Sequence, residues 1–210
     1  MPVLPAASLT DGGAAEAVRA AGVCVVHDAL SADQLGDIER RLAALTPRKM
    51  QNRRPQRWEH VHDPASDAFQ QLAALPGVAA VVKALLGPKT YLEKAGMLVA
   101  HPGAEAQRWH MDTPHLFASR QHLPPHSISV FVPLCALTEL NGPTEFQLST
   151  HIKANLATPP THADARAPLG SLVIYDIRVM HRGGANRSEA DRPVVYLTFS
   201  RVWYRDTLNP

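Results

Sequence analysis

Four short apolar segments separated by turn residues dominate the second half of the chain and limit the folds open to it. Each is rich in Val, Ile, Leu, Tyr, Phe or Thr, and Pro, Gly and Asn residues separate them, as expected for β-strands joined by turns. The segments are TYLEKAGMLVA, SISVFVPL, GSLVIYD and PVVYLTFSRVW. Because strands of this length leave unpaired edges unless the sheet folds over on itself, we expect a double-stranded β-helix, or jelly roll, over residues 89–210.

The first 88 residues show helical spacing in two places. One follows Ser31, a favourable N-cap, and repeats Leu and Ile every three or four residues. The other runs from about residue 65 to residue 86 and is interrupted by a Pro-Gly pair. A short buried strand, AGVCVVHD, precedes both. We therefore predict one domain of 210 residues, mainly β, in which helices of residues 1–88 buttress the jelly-roll core.

The composition argues against several classes of partner. The chain has 21 Lys and Arg against 19 Asp and Glu, a net charge of +2, and no basic run alternates with aromatic residues as a nucleic-acid surface would. No apolar stretch approaches the roughly 20 residues that cross a bilayer, and two cysteines form no disulfide framework. We expect a cytoplasmic monomer or homodimer that binds neither nucleic acid nor membrane and acts on a small molecule.

One dense basic segment, Arg48 to Arg57, breaks this even charge distribution. The sequence favours a solvated loop there. The alternative is a mobile segment that attracts an anionic substrate into a nearby site.

The segment QRWHMD contains a His and an Asp two residues apart, and a third candidate ligand lies far along the chain. In a strand, alternate side chains share a face, so His110 and Asp112 project the same way. His181 follows GSLVIYDIRVM, itself a plausible strand, and can approach from a neighbouring strand. Two imidazoles and one carboxylate on one face of a metal form the facial triad of non-heme Fe(II) oxygenases.

The chain contains a second H-x-D pattern and a second close histidine pair, so the metal assignment has rivals. His162 and Asp164 lie in a Pro/Ala-rich stretch without a strand pattern, only 19 residues before His181. His60 and His62 lie between the basic segment and a helix, where a surface role is the better interpretation. His110 and Asp112 are therefore the preferred H-x-D pair for the metal site.

Arg192 strengthens that preference. It lies 11 positions after His181, at the start of a strand whose apolar residues would place its side chain in the barrel interior. Burial of a guanidinium destabilises a protein unless the group pairs with an anion, and its planar shape allows two parallel hydrogen bonds to a carboxylate. The alternative is an internal salt bridge to Asp176, Glu189 or Asp191.

From about Tyr91 to Tyr204 the sequence resembles the phytanoyl-CoA dioxygenase family of Fe(II)/2-oxoglutarate-dependent oxygenases. The matching pieces, in order, are Q-R-W-H-M-D, V-F-V-P-L-x6-N-G-P-T-E-F ending in S-T-H, G-S-L-V-I-Y-D, and H-R-G-G-A-N-R-S followed by R-P. The resemblance implies that Fe(II) binds His110, Asp112 and His181. It also implies that Arg192 binds the distal carboxylate of 2-oxoglutarate and that O2 is the second co-substrate.

Two further positions match co-substrate contacts of small-molecule members of that family. These are Gln107 and Thr144. Strict strand alternation would place Gln107 on the face opposite His110, so its role requires a bulge or a loop. Thr144 follows a Gly-Pro pair, and capping of a turn is the alternative there.

The chain also departs from the family. The family commonly has G-S-H where this chain has Ser149, Thr150 and His151, so a turn glycine is missing. No recognisable CoA-binding feature is present, and the phytanoyl-CoA substrate is not carried over. In this chain the carboxylate Asp112 stands at the position where related halogenases have a small residue.

The expected reaction is oxidation, above all hydroxylation, of an unactivated C–H bond in a small-molecule metabolite, with decarboxylation of 2-oxoglutarate to succinate and CO2. Residues close to the H-x-D could contact that substrate, although ordinary packing is the alternative for each; they are Trp109, His115, Phe117 and Arg120. Two other functions remain open. A cupin-like metal-binding or sensory protein without turnover would not need Arg192, and neither would a zinc hydrolase.

Overall fold

A computed structural model describes residues 1–117 and 121–208, apart from the side chains of residues 53 and 54. The main feature is an eight-stranded sheet. In chain order its strands are β1 (Val3–Leu4), β2 (Val23–Val26), β3 (Lys49–Arg54), β4 (Arg57–His62), β5 (Thr90–Ala100), β6 (Ser127–Pro133), β9 (Leu172–Asp176) and β11 (Arg192–Arg201). Their order across the sheet is β1-β2-β9-β6-β11-β5-β4-β3, and every neighbouring pair is antiparallel except β1 and β2, which are parallel.

A second, three-stranded antiparallel sheet has the order β10-β7-β8. Its strands are β7 (Thr144–Gln147), β8 (His162–Asp164) and β10 (Met180–Gly183). A buried cluster joins the two sheets, because Phe146 of β7 packs with Phe131 and Tyr175 of the large sheet. This two-sheet arrangement confirms the predicted jelly roll.

The helices cover the other face of the large sheet, as predicted. They are α1 (Ser8–Asp11), α2 (Gly13–Ala21), α3 (Ala32–Ala43), α4 (Asp67–Ala73) and α5 (Pro76–Leu86), and a 3-10 helix spans Lys153–Ala157. The predicted cap of α3 is present: Ser31 Oγ accepts a hydrogen bond from the Gln34 backbone N at 3.2 Å, and Gln34 Oε1 accepts one from the Ser31 N at 2.8 Å.

Side chains of β11 point alternately to the two faces of the large sheet, one covered by the helices and the other facing the small sheet. Val195, Leu197 and Phe199 pack with the helices. The intervening residues Val194 and Tyr196 belong to the cluster between the two sheets. Because alternate residues of a strand share a face, the helices fill one side of the sheet and leave the other side for a cavity.

Several segments differ from what the sequence suggested. Strands β1 to β4 come from the first 88 residues, so that part of the chain extends the large sheet as well as buttressing it. The basic segment forms β3, the following turn and the first residue of β4 instead of a solvated loop, and Arg57 is only 5% exposed. Ser149 supplies the left-handed turn without a glycine: its φ is 63°, and its Oγ donates to the Ala20 carbonyl at 3.0 Å.

Within the described ranges, no single helix is long and apolar enough to cross a membrane. The helices α4 and α5 reach that length only when taken together, and they are bent by 71° at their break.

Candidate active site

The structure brings the three predicted metal ligands together. The ligand atoms of His110, Asp112 and His181 all lie within 4.8 Å of one another. Backbone pairing holds them there: the His110 N donates to the His181 carbonyl at 3.0 Å, and the His181 N donates back at 2.8 Å. The Asp112 N in turn donates to the Ile177 carbonyl at 3.0 Å. His110 sits on an isolated bridge to β10 and not in a long strand, so the segment around it is free to curve.

Both imidazoles are oriented for metal binding through Nε2. The Nδ1 of His110 lies 2.9 Å from the Arg108 carbonyl, and the Nδ1 of His181 lies 3.0 Å from the Val179 carbonyl. A carbonyl only accepts, so each Nδ1 carries a hydrogen, and Nε2 is the atom through which each imidazole can bind a metal. Burial lowers the pKa of His181, which favours the neutral form that a metal requires.

The third ligand is fixed by a tyrosine that the sequence did not single out. Tyr175 OH donates to Asp112 Oδ2 at 3.1 Å, while the other carboxylate oxygen, Oδ1, lies 3.5 Å from His181 Nε2. Burial, with the adjacent Asp112 charge, raises the pKa of Tyr175 well above its usual value, so the phenol stays a donor. Its position in β9, within GSLVIYD, gave no sign of a polar partner because that partner comes from another segment.

The rival pattern does not form a comparable site. His162 and Asp164 lie in β8, where Asp164 accepts a hydrogen bond from Arg166 Nε at 2.7 Å. Among the described residues, the triad is the one group of three or more His, Cys, Asp or Glu side chains close enough to hold a metal ion. The choice between the two H-x-D patterns therefore agrees with the structure.

A cavity of about 690 Å³ opens beside the triad, between the sheets. Strands β4, β5, β6, β9 and β11 form much of its wall. The volume lies within the range of ordinary small-molecule sites, roughly 300–1,000 Å³.

Arg192 projects into this cavity and is 4% exposed. The carboxylates suggested as alternative partners do not pair with Arg192. Asp176 pairs with Arg178, and Asp191 lies 2.7 Å from His101 Nδ1. Arg192 makes no ion pair with any carboxylate in the described parts of the chain, and its Nε has no hydrogen-bond partner. Burial, together with the nearby Arg57 charge, lowers the pKa of Arg192 to about 10. A buried, unsatisfied guanidinium beside a His-Asp-His triad fits an anionic co-substrate.

The two secondary co-substrate candidates both line the cavity. Gln107 lies in a stretch outside regular strands, which removes the objection from strand alternation. Its backbone N donates to the Gly183 carbonyl at 2.9 Å, and its Oε1 accepts from the Gly183 N at 2.8 Å. Thr144 begins β7 opposite Gly183 and is 5% exposed. Their contact with a co-substrate stays a prediction.

Of the four predicted substrate residues, the three that the structure describes, Trp109, His115 and Phe117, lie outside the set that lines the cavity. Trp109 packs under the Arg182 guanidinium, 4.7 Å from the ring centroid, and its edge meets His162. His115 is partly exposed with a buried, unpartnered Nε2, and Phe117 is 61% exposed. Arg120 lies outside the described residues. A substrate contact for these four stays a prediction.

A polar row crosses the cavity wall away from Arg192. Tyr175 pairs with Ser129 across β9 and β6, Ser129 pairs with Thr198 of β11, and Thr198 pairs with Lys94 of β5. The Ser129 and Thr198 hydroxyl oxygens lie 2.9 Å apart, and Lys94 Nζ is 2.6 Å from Asp206 Oδ2. All line the cavity. Sequence reasoning missed this row, because its members come from four strands and only the register aligns them.

Comparisons with known proteins agree with this geometry. The family model described as phytanoyl-CoA dioxygenase (PhyH) matches residues 18–194. Among solved structures, the chain is similar to EctD from S. alaskensis, with 20% identity over 91% of this chain and 76% of that one and a TM-score of 0.74. It is also similar to the epimerase SnoN from nogalamycin biosynthesis (19% identity, 93% and 83% covered, TM-score 0.72). A third similar structure is HygX from Streptomyces hygroscopicus (14% identity, 91% and 88% covered, TM-score 0.72).

Proposed function

Since the chain belongs to the phytanoyl-CoA dioxygenase family, we propose that it is an Fe(II)- and 2-oxoglutarate-dependent oxygenase that hydroxylates a C–H bond of a small polar metabolite. Cytoplasmic location and a monomeric or homodimeric state stay predictions. The observation that carries the proposal is the combination in one cavity of the triad His110, Asp112 and His181 with the unsatisfied guanidinium of Arg192.

The donor set suits Fe(II), because two neutral imidazoles and one carboxylate leave coordination positions open on a hexacoordinate metal. Bound there, iron supplies the activation of O2 that oxidation of an unactivated C–H bond requires, with 2-oxoglutarate as the co-substrate that becomes succinate and CO2. The similar structures include EctD with 2-oxoglutarate and 5-hydroxyectoine, SnoN with Fe3+ and alpha ketoglutarate, and HygX with nickel and 2-oxoglutarate.

The protein's own residues orient and enclose the reactants. The carbonyls of Arg108 and Val179 hold the two imidazoles, and Tyr175 holds Asp112. Arg192 provides the fork for the distal carboxylate, which fixes the direction of the oxo acid relative to the triad. The apolar side chains of Phe131 and Leu98 line the cavity and restrict water near the reacting centre.

The polar row supports a hydrophilic substrate. A hydroxyl group has one donor and two acceptor sites, so Ser129 and Thr198 retain hydrogen-bonding capacity beyond their mutual bond. Two of the similar structures hold polar small molecules, 5-hydroxyectoine in EctD and hygromycin B in HygX. These compounds belong to those proteins, and they favour a polar metabolite as the substrate class here.

The decisive experiment is an anaerobic titration of the purified protein with Fe(II) and 2-oxoglutarate. Chelation of the oxo acid to Fe(II) should produce a weak visible charge-transfer band, and His181→Ala should lack it. A folded, iron-loaded protein without the band would overturn the oxygenase proposal and favour the cupin-like or hydrolase alternatives. Product analysis with substrates that stimulate succinate release then separates hydroxylation from epimerisation, the activity named for SnoN.

A further inference from the structure

A short turn between β9 and β10, residues 177–179, holds two of the three metal ligands. The Ile177 carbonyl accepts a hydrogen bond from the Asp112 backbone N at 3.0 Å. The Val179 carbonyl lies 3.0 Å from His181 Nδ1 and accepts its hydrogen. The directions of these two carbonyls therefore set where the Asp112 backbone lies and how the His181 ring is turned.

The side chains of Asp176 and Arg178 fix the shape of this turn. Asp176 Oδ1 accepts hydrogen bonds from the Arg178 backbone N at 3.0 Å and from Arg178 Nε at 2.8 Å, and Oδ2 accepts one from Nη2 at 2.6 Å. The Val179 N donates to the Asp176 carbonyl at 2.9 Å. Arg178 Nη2 also donates to the Leu123 carbonyl at 3.1 Å, which ties the turn to the segment before β6.

This ion pair is buried, and its side chains are 1% and 3% exposed. Replacement of a buried ion pair by apolar residues of similar size often leaves stability unchanged or raises it, so stability alone is a weak reason for two buried charges. The planar guanidinium with two hydrogen bonds to one carboxylate supplies a fixed direction, which apolar packing does not. A metal site needs such precision, because its ligands must be held to within about 0.5 Å of the productive geometry.

We propose that Asp176 and Arg178 are positioning residues of the metal centre. Their forked ion pair fixes the turn of residues 177–179, so that the carbonyls of the turn hold Asp112 and His181 where a metal can bind both. Neither side chain belongs to the ligand triad, and both act through the backbone of the turn. The inference rests on the proposed function, because it takes Asp112 and His181 as ligands of Fe(II).

The test compares metal binding by two altered proteins with that of a protein destabilised elsewhere. Asp176→Ala combined with Arg178→Met removes the ion pair without leaving a buried charge unpaired, whereas Arg178→Lys keeps the charge and loses the planar fork. Leu85→Ala is the control: Leu85 of α5 is 3% exposed and packs in the core on the helix side of the large sheet, so its truncation lowers stability on the face opposite the metal site. The readouts are the dissociation constant of Co(II) from anaerobic titration, the visible spectrum of the Co(II) protein, which reports coordination geometry, and denaturant unfolding of the metal-free protein.

We expect the double variant to bind Co(II) about tenfold or more weakly, with a changed spectrum, and Arg178→Lys to bind it about threefold or more weakly. Leu85→Ala should bind within about twofold of the wild type despite its lower stability, because distant sites act independently. Wild-type affinity and spectrum in the folded double variant would overturn the proposal. So would a loss no greater than that of Leu85→Ala, since it indicates general loosening of the fold. If the double variant does not fold, wild-type Co(II) affinity in Arg178→Lys would overturn the proposal instead.

Failure of this inference and failure of the proposed function give different results. Absence of the charge-transfer band with Fe(II) and 2-oxoglutarate in the wild-type protein would overturn the proposed function. A normal wild-type band, together with wild-type Co(II) affinity in the double variant, would overturn the positioning role of Asp176 and Arg178 alone.

Discussion

At the residue scale, Tyr175 tests how far one hydroxyl group supports the metal site. Tyr175→Phe removes the hydrogen bond to Asp112 Oδ2 and keeps the ring, which packs against Phe131 and Phe146. Partners that orient a ligand typically contribute 10- to 100-fold to metal affinity. We expect Fe(II) or Co(II) binding, measured by anaerobic titration, to weaken by about tenfold or more in this variant.

The matched control for that substitution is Tyr196→Phe. Tyr196 is also buried and lines the same cavity, but its hydroxyl donates to Glu59 Oε1 at 2.8 Å and not to a metal ligand. Its loss should leave metal affinity close to that of the wild type. Equal weakening in both variants would attribute the effect to general loosening of the cavity.

The chemistry of the side chains decided which site residues could be predicted. His110, Asp112 and His181 were found because metal binding restricts residue types and because the H-x-D spacing suggested two ligands on one side of the backbone, although that segment forms only an isolated bridge and not a regular strand. Tyr175 could not be found in this way, since its partner depends on where the segment after β5 crosses the sheet. Arg57 was hidden by its basic neighbours, and only pairing in β4 shows that it points inward.

At the element scale, Gly96 shows why β4 and β5 can pair closely. A Cβ at Gly96 would lie 2.4 Å from the His60 carbonyl oxygen and 2.6 Å from Tyr196 OH. Gly96→Ala should therefore force the strands apart and destabilise the protein by about 1 to 3 kcal/mol, measured by denaturant unfolding. Gly36→Ala in α3 is the control of opposite sign: nothing lies within 4 Å of that Cβ, and alanine should stabilise the helix by about 0.5 to 1 kcal/mol. A stabilising Gly96→Ala would contradict this account.

A buried ion pair at the end of β9 connects that strand to the segment before β6. Asp176 accepts from Arg178 Nε at 2.8 Å and from Nη2 at 2.6 Å, and Arg178 Nη2 also donates to the Leu123 carbonyl. The two side chains are 1% and 3% exposed. Asp176→Ala leaves a buried, uncompensated charge, which should lower the free energy of unfolding by about 3 to 5 kcal/mol.

The double variant distinguishes this mechanism from loss of packing. Asp176→Ala with Arg178→Met removes both charges, so part of the lost stability should return in the same unfolding assay. Additive losses would show that the packing of each side chain matters more than the charge left without a partner.

Elements with local signals were predicted, whereas those defined by pairing across the chain were not. The α3 cap, the break before α5 and the four apolar strands all have short-range sequence patterns, and the structure contains them. The β3–β4 hairpin does not, because the sequence of Lys49–Arg54 has no alternating apolar pattern and the strand is paired at the sheet edge with β4. Strand β8 was not predicted either, because it is only three residues long and lies at the edge of the small sheet.

At the scale of the whole molecule, a group of histidines with lowered pKa values predicts that the fold weakens in acid. Burial lowers the pKa of His126 from 6.5 to about 4, and it also lowers those of His115, His122 and His151. The positive charge of Arg178 also opposes protonation of His126. The unfolded chain therefore binds more protons than the folded chain between pH 6.5 and 4. Stability is complete above about pH 6.5 and falls as the pH is lowered through that window.

For His126 alone, the free energy of unfolding should fall by about 2 to 3 kcal/mol between pH 7.5 and pH 4.5. His126→Phe removes the titrating group while keeping a ring against Tyr204, whose centroid lies 4.3 Å from that of His126. Unfolding of the metal-free protein, measured at both pH values, should show a smaller acid loss in this variant by about that amount. The exposed residue His162 provides the control, and His162→Phe should keep the wild-type loss. If His126→Phe lost as much stability in acid as the wild type, the acid sensitivity would have to come from the other histidines with lowered pKa values or from the carboxylates, since His126 would then not accept a proton on unfolding.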